Sequence, residues 1–227
     1  IEEAIQASGD EALEALVQLS RPGTLPGVVT VLAADDALIT VPAPFAWTFA
    51  LTLTRTFNAR METDKRVARA LEFGGHIPTL TAGIAFTHVK SPIEVAIQAA
   101  DSAMRLAKQQ KSGESAIGWV DLTHPGEGIS SLFALDWLND NAALIDAFTD
   151  LPANQRSGWE RDIASAQAAG VPDPDILAFL QREVRRLAFT QLSVDKLALD
   201  DILRLLSISR WWPSTDSTQA VSSEEAS

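Results

Sequence analysis

Residues 27–42 read GVVTVLAADDALITVP. Two β-rich apolar runs, Val28 to Ala33 and Ala37 to Val41, are separated only by Ala34-Asp35-Asp36, which is the spacing of a tight hairpin. Pro42 ends the second run, because it has no N–H to donate to a ladder. The twin aspartates therefore sit at a hairpin tip. Asp is common wherever a chain reverses, so a polar turn explains their presence. Two adjacent carboxylates are also hard oxygen donors of the kind that hold Mg²⁺ together with substrate phosphates.

Upstream of the hairpin, Ile1, Ile5, Ala12, Leu16 and Leu19 recur at helical spacing, with Gly9-Asp10 as a potential break. Arg21 to Gly27, with two prolines and two glycines, is loop. Downstream, Pro42 and Pro44 open a second helix whose Phe45, Phe49, Leu53 and Phe57 form an aromatic stripe. A charged connection leads to a short helical stretch from Val67 to Phe73, and Gly74-Gly75 marks a turn. Pro78 to Val89 is a strand candidate. Ser91-Pro92-Ile93-Glu94 has the form of a capping box, so the next helix starts there, with Ile93, Ile97, Ala100, Met104 and Ala107 as its expected buried face. Ser115 to Leu122 supplies another strand.

The order helix, hairpin, helix, strand, helix, strand predicts an α+β sandwich over residues 1–122, with helices on one face of a mainly antiparallel sheet. Composition shifts after Thr123 to Gly128, and from Ser130 onward strand signals give way to helical patterns. Phe133, Trp137, Leu144 and Phe148 mark one face, Leu177, Leu180, Val184 and Leu187 another, and Leu199, Ile202 and Leu206 a third. Residues 123–212 are expected to form an all-α helical bundle. The Ser/Thr/Glu-rich tail over 213–227 is expected to be disordered.

Composition excludes several function classes. The 227 residues are 46% hydrophobic, enough for one large domain or two small ones. A net charge of −12 argues against a protein that grips nucleic acid alone through a basic stripe. With no cysteine, disulfides and thiolate zinc sites are excluded, and His76, His88 and His124 are too far apart for a local metal motif. A reducing cytoplasm fits. No apolar stretch approaches the roughly 20 residues that span a bilayer, so no membrane association is expected. The first residue is Ile1, and the chain reads as a piece of a longer one.

A strand, a tip of two small residues and two aspartates, then an apolar strand ending in proline resembles the GGDD hairpin in the palm of the large, polymerase-like subunit of type III CRISPR effector complexes. Leu80 to Ile93, reading LTAGIAFTHVKSPI, resembles the same family's strand with its Ala-Gly-Ile run, His-x-Lys and helix-opening proline. Ala100-Asp101-Ser102-Ala103 through Ala107-Lys108, then Gly113 and the strand at Ala116, is similar to the pattern shared with GGDEF cyclases.

The resemblance implies a ferredoxin-like, GGDEF-like cyclase palm lacking its first strand, in which Asp35 and Asp36 are the catalytic, metal-binding pair for Mg²⁺ or Mn²⁺. Ala33 and Ala34 stand at the two nucleotide-facing glycine positions, and Lys108 stands where related cyclases bind the triphosphate of ATP. His88 and Lys90 match the pattern at the strand-to-helix corner. Implied partners are the small helical subunit, the guide-end-binding subunit, and guide and target RNA, in a prokaryotic cytoplasm. The departure lies at Ala33 and Ala34: each alanine adds a Cβ where glycine allows positive φ and close approach of backbone to ligand. The expected role is therefore chiefly a scaffold contacting partners and nucleic acid. The alternatives are an active palm making cyclic oligoadenylate from ATP, or an α+β protein with an Asp-Asp turn. In the helical part, Arg182, Arg185 and Arg186 form a basic cluster, and Trp211-Trp212 is expected to cap the bundle.

Overall fold

The aromatic stripe after Pro44 needs a partner, and the first helix supplies it. The computed structural model describes residues 1–20, 25–33, 36–123, 129–186, 194 and 197–213. In it α1 (Glu2–Leu19) and α2 (Ala46–Thr63) lie against each other. Ala12 and Leu16 meet Phe49 and Leu53, and one turn further along Ile5 meets Phe57 and Met61. Residues four apart on each helix share a face, so the two stripes interlock over most of their length. Gly9 does not break α1, which is continuous and buries both Ser8 and Gly9. Arg60 and Glu11 add a surface ion pair at 3.1 Å, worth little in water.

β1 (Val28–Ala33) and β2 (Asp36–Thr40) form the expected antiparallel hairpin. Its base is fixed to the helix pair: Ile39 and Val41 pack on the cluster of Ala12, Leu16, Phe49 and Leu53. The bulge between Val29 and Val31 breaks the alternation, and Val28, Val29 and Val31 are all exposed. α3 (Lys65–Glu72) follows α2 and buries none of its side chains fully.

β3 (Thr81–Phe86), α4 (Ile93–Gln110) and β4 (Ala116–Asp121) make a strand-helix-strand crossover, so β3 and β4 are parallel. β5 (Ile129–Ala134) pairs antiparallel with β4, giving the order β3-β4-β5. The expectation of one mainly antiparallel sheet is corrected in two respects. Among the described residues the hairpin is a separate two-stranded sheet, and the other sheet is mixed. The expectation that strands end before Ser130 is corrected as well, since β5 continues the sheet.

Helices do not keep to one face of the mixed sheet either. Successive strand residues point to opposite sides, so Gly118 meets α4 while Trp119 meets Trp47 of α2, edge to face at 5.3 Å. Trp119 is fully buried and also packs on Phe133 of β5, which stacks at 3.8 Å on Trp137 of α5 (Leu135–Asp140). Each such aromatic pair adds about 0.5–1.5 kcal/mol beyond the area it buries. On the α4 side, the buried residues are Ala103 and Ala107, whereas Ile93 and Ile97 are exposed. The isoleucine face expected from the sequence is therefore turned away from the core, because two strand glycines draw the alanine face onto the sheet. The helix begins with Pro92 at its N-cap and no side-chain cap bond, in place of the expected Ser91 box.

The chain divides into two units, the first over Ile1–Asn139 and the second beginning at Asp140. The division falls later than the composition shift because β5 and α5 pack with the first unit; Arg55 of α2 holds Asn139 Oδ1 at 2.8 Å. In the second unit, α6 (Ala142–Thr149), α7 (Ala153–Ala168), α8 (Asp173–Arg186) and α9 (Leu199–Ser209) enclose Phe148, Trp159, Ile163, Leu180, Ile202 and Leu206. α8 turns Ile176, Leu180 and Val184 inward, so Ile176 stands in the buried row where Leu177 was expected; Leu187 lies outside the described residues. Trp212 does close the bundle end, with its indole N–H donating to Asp146 Oδ1 at 3.0 Å. Arg156 of α7 donates to the carbonyls of Thr149 and Ser209, at 2.7 and 3.3 Å, and so ties the C-terminal ends of α6 and α9. Burial lowers the Arg156 pKa and nearby Arg210 adds repulsion, which Glu160, ion-paired to Arg210, opposes.

Candidate functional site

The backbone register sets the candidate tip. Ala33 stands opposite Asp36 as the last pair of the hairpin, leaving Ala34 and Asp35 as the two-residue connection. Ala34 and Asp35, and the side chains of Leu32, Ala33 and Asp36, lie outside the described residues. The anchored end of β2 is at Ile39 and Val41. At about 3.4 Å per residue, Asp36 is carried some 14 Å beyond Thr40, away from that anchor.

The other residues singled out in the sequence are distributed along α4. His88 and Lys90 are exposed at the corner between β3 and α4, where His88 Nδ1 accepts the Lys90 backbone N–H at 3.3 Å and the His88 carbonyl accepts from Ser91 at 2.8 Å. These bonds shape the corner. Lys108 is exposed in the last turn of α4. Because α4 runs back along the sheet, Lys108 lies at the end where β3 and β4 begin, and His88 at the end where β3 finishes. From Ile93, just after the corner, the helix rises about 22 Å to reach Lys108. The structure thus joins Ala33 with Asp36 and His88 with Lys90, and keeps Lys108 far from the corner.

Two polar arrangements carry no sequence motif. Ser115 Oγ donates to Asn58 Oδ1 at 2.8 Å and accepts the Leu80 N–H at 3.2 Å, tying α2 to the start of both parallel strands. Asp121, buried at the end of β4, accepts the N–H and hydroxyl of Thr123 at 2.9 and 2.6 Å. Single Ser, Asn and Asp residues beside strands give no pattern to read, since the partner comes from tertiary structure.

Among the described residues there is no group of three or more acidic, His or Cys side chains able to hold a metal. The expected donor pair is Asp35 and Asp36, of which Asp35 and the Asp36 side chain lie outside the described residues. Two carboxylates are a chemically fitting set for Mg²⁺ or Mn²⁺, which commonly takes one or two carboxylates and completes its shell with phosphate and water. In the helical unit, Arg186 pairs with Glu183 at 2.7 Å, so the basic cluster with Arg182 and Arg185 is partly neutralised on an exposed face of α8.

Residues 12–117, from within α1 to the start of β4, match the family described as Cas10/Cmr2, second palm domain. Over that segment the chain is similar to the palm of a Cas10-like type III CRISPR subunit. The matched segment holds the hairpin, β3, α4 and the first two residues of β4, and it includes the Ala33 to Asp36 tip and Lys108. No curated protein and no solved structure matches the chain. No helix among the described residues is long and apolar enough to cross a membrane.

Proposed function

We propose that this Cas10-like chain serves chiefly as a scaffold in an RNA-guided type III effector complex, with a palm whose nucleotide tip is weakened. The single observation that carries the reading is the Ala33-Ala34-Asp35-Asp36 tip on the hairpin of a second palm domain. Asp35 and Asp36 supply the oxygens for a divalent cation. An alanine at each of positions 33 and 34 adds a Cβ that hinders the close approach of protein backbone to nucleotide that glycine permits. When bound, the cation would neutralise triphosphate charge; this chain's part is to present the two carboxylates, with Lys108 as a further cationic contact.

The divided sheet supports the same reading. The hairpin and β3 rest on one helix pair, with Ile39 and Val41 packed beside Leu80 on the same cluster, yet they are not paired with each other. The reading supplies a strand of the large subunit between them, completing the GGDEF-like palm. The second unit then serves as the helical domain that meets the small helical subunit, with the guide-end-binding subunit, guide RNA and target RNA as the other partners. The setting is a prokaryotic cytoplasm.

Retention of both aspartates favours one second reading, an active cyclase making cyclic oligoadenylate from ATP. Co-purification tests the first reading: the tagged chain, expressed with its sister subunits and a CRISPR array, is expected to bring down guide RNA. Recovery of the chain without RNA or subunits would contradict it.

A further inference from the structure

We infer that the solvent face of α3 is a contact for single-stranded nucleic acid, an inference that rests on the complex reading above and names the surface it uses. α3 is attached to the core through Val67, which packs on Ile5, Phe57 and Met61. At 3.6 residues per turn, Lys65, Arg66, Arg69 and Phe73 fall on the side away from Val67, with Glu72 as the one acidic residue of α3 among them. All four are exposed, and Phe73 is 80% exposed, unusual for a large aromatic ring.

The backbone at Phe73 is fixed by the helix end. The Gly75 N–H donates to the Ala70 carbonyl and the Gly74 N–H to that of Leu71, and Gly74 adopts φ of 79°, the left-handed form that ends a helix. The other end is fixed by Asp64, which caps α3 and holds the Arg66 guanidinium at 2.8 Å. Glu3 also faces Arg66, so the cations left for a ligand are Lys65 and Arg69, about 6 Å apart along the axis, with Glu72 offsetting part of their charge.

A row of cations ending in a presented aromatic ring matches the two needs of a single strand: countercharge for phosphates and a flat surface for a base. The complementarity is specific to this helix, because the chain as a whole carries a charge of −12 and repels polyanions elsewhere. The rival cluster on α8 shares Arg186 with Glu183, and among the described residues no exposed aromatic stands beside it. An acidic protein segment would use the cations but has no need of Phe73, which is what favours nucleic acid.

The test is fluorescence anisotropy of the full chain with labelled oligouridine across a salt series. Relative to wild type, Lys65→Glu with Arg69→Glu is expected to weaken binding at least tenfold and to flatten the logarithmic salt slope by about 1 to 1.5. Phe73→Ala is expected to weaken it about fivefold or more with the slope unchanged. Circular dichroism checks that these surface changes leave the fold intact. Absence of binding, equal affinity in both variants, or a polyglutamate competitor that displaces the RNA regardless of Phe73 would overturn the inference. The complex reading fails separately, by loss of guide RNA from the wild-type assembly.

Discussion

Gly83 of β3 and Gly118 of β4 stand directly opposite each other on the parallel strands, and both face the backbone of α4. A Cβ at Gly83 would lie 2.0 Å from the Ala100 carbonyl oxygen, and one at Gly118 2.3 Å from that of Ala103. The pair forms a flat seat on which the alanine face of α4 lies, and that seat sets the helix carrying Lys108 at one end and following the His88 corner at the other.

Gly83→Ala and Gly118→Ala are each expected to destabilise the first unit by about 3 kcal/mol, since the obstruction is backbone that cannot swing aside. Gly158, within α7, is the control. Its Cβ would meet nothing within 4 Å, and alanine there is expected to stabilise by about 0.5–1 kcal/mol. Urea unfolding midpoints measure all three. A Gly118→Ala variant as stable as wild type would contradict the seat.

That seat also explains what the sequence left unreadable. The hairpin, the Phe49-Leu53-Phe57 stripe and the position of β4 follow from local periodicity and turn residues. The buried face of α4 does not: hydrophobicity selects Ile93 and Ile97, but contact with the sheet is decided by Gly83 against Ala100 and Gly118 against Ala103, residues distant in the chain. The parallel pairing of β3 and β4 was legible in principle, because a strand, an 18-residue helix and a strand form a crossover. β5 was not, since Ile129 to Ala134 has no alternation and is defined by its partner β4. Of the candidate site, the paired carboxylates and the tight turn were readable in residues 33–36, whereas the separation of His88 from Lys108 needed the fold.

Arg156 is expected to hold the helical unit together through helix ends and not through apolar area. Arg156→Met keeps most of the volume but leaves the Thr149 and Ser209 carbonyls without their donor. The expected loss is about 2 kcal/mol, with Arg156→Lys intermediate because an ammonium lacks the planar fork. Denaturant midpoints check this, and a Met variant within experimental error of wild type would remove Arg156 from that role.

Asp64 titrates abnormally low. Side-chain hydrogen bonds from Arg66, with its backbone N–H, hold the carboxyl at about 2. Since the folded value lies below the unfolded one of about 3.9, the N-cap's contribution is complete above about pH 4 and is lost as pH falls toward 2. A carboxyl ¹³C titration is expected to give a midpoint near 2 for Asp64, and Arg66→Ala is expected to return it toward the ordinary range. A wild-type midpoint near 4 would mean that the pair does not form in solution.

The central claim is that the palm serves chiefly as a scaffold and that its nucleotide tip is weakened. The most direct measurement is conversion of radiolabelled ATP by the assembled complex with target RNA and Mg²⁺ or Mn²⁺, for wild type, for Asp35→Ala with Asp36→Ala, and for Ala33→Gly with Ala34→Gly. The expected result is no cyclic oligoadenylate dependent on the aspartates in wild type, and intact RNA-bound complexes in all three. Product that forms in wild type and vanishes when Asp35 and Asp36 are replaced would contradict the scaffold account and establish this palm as a working cyclase.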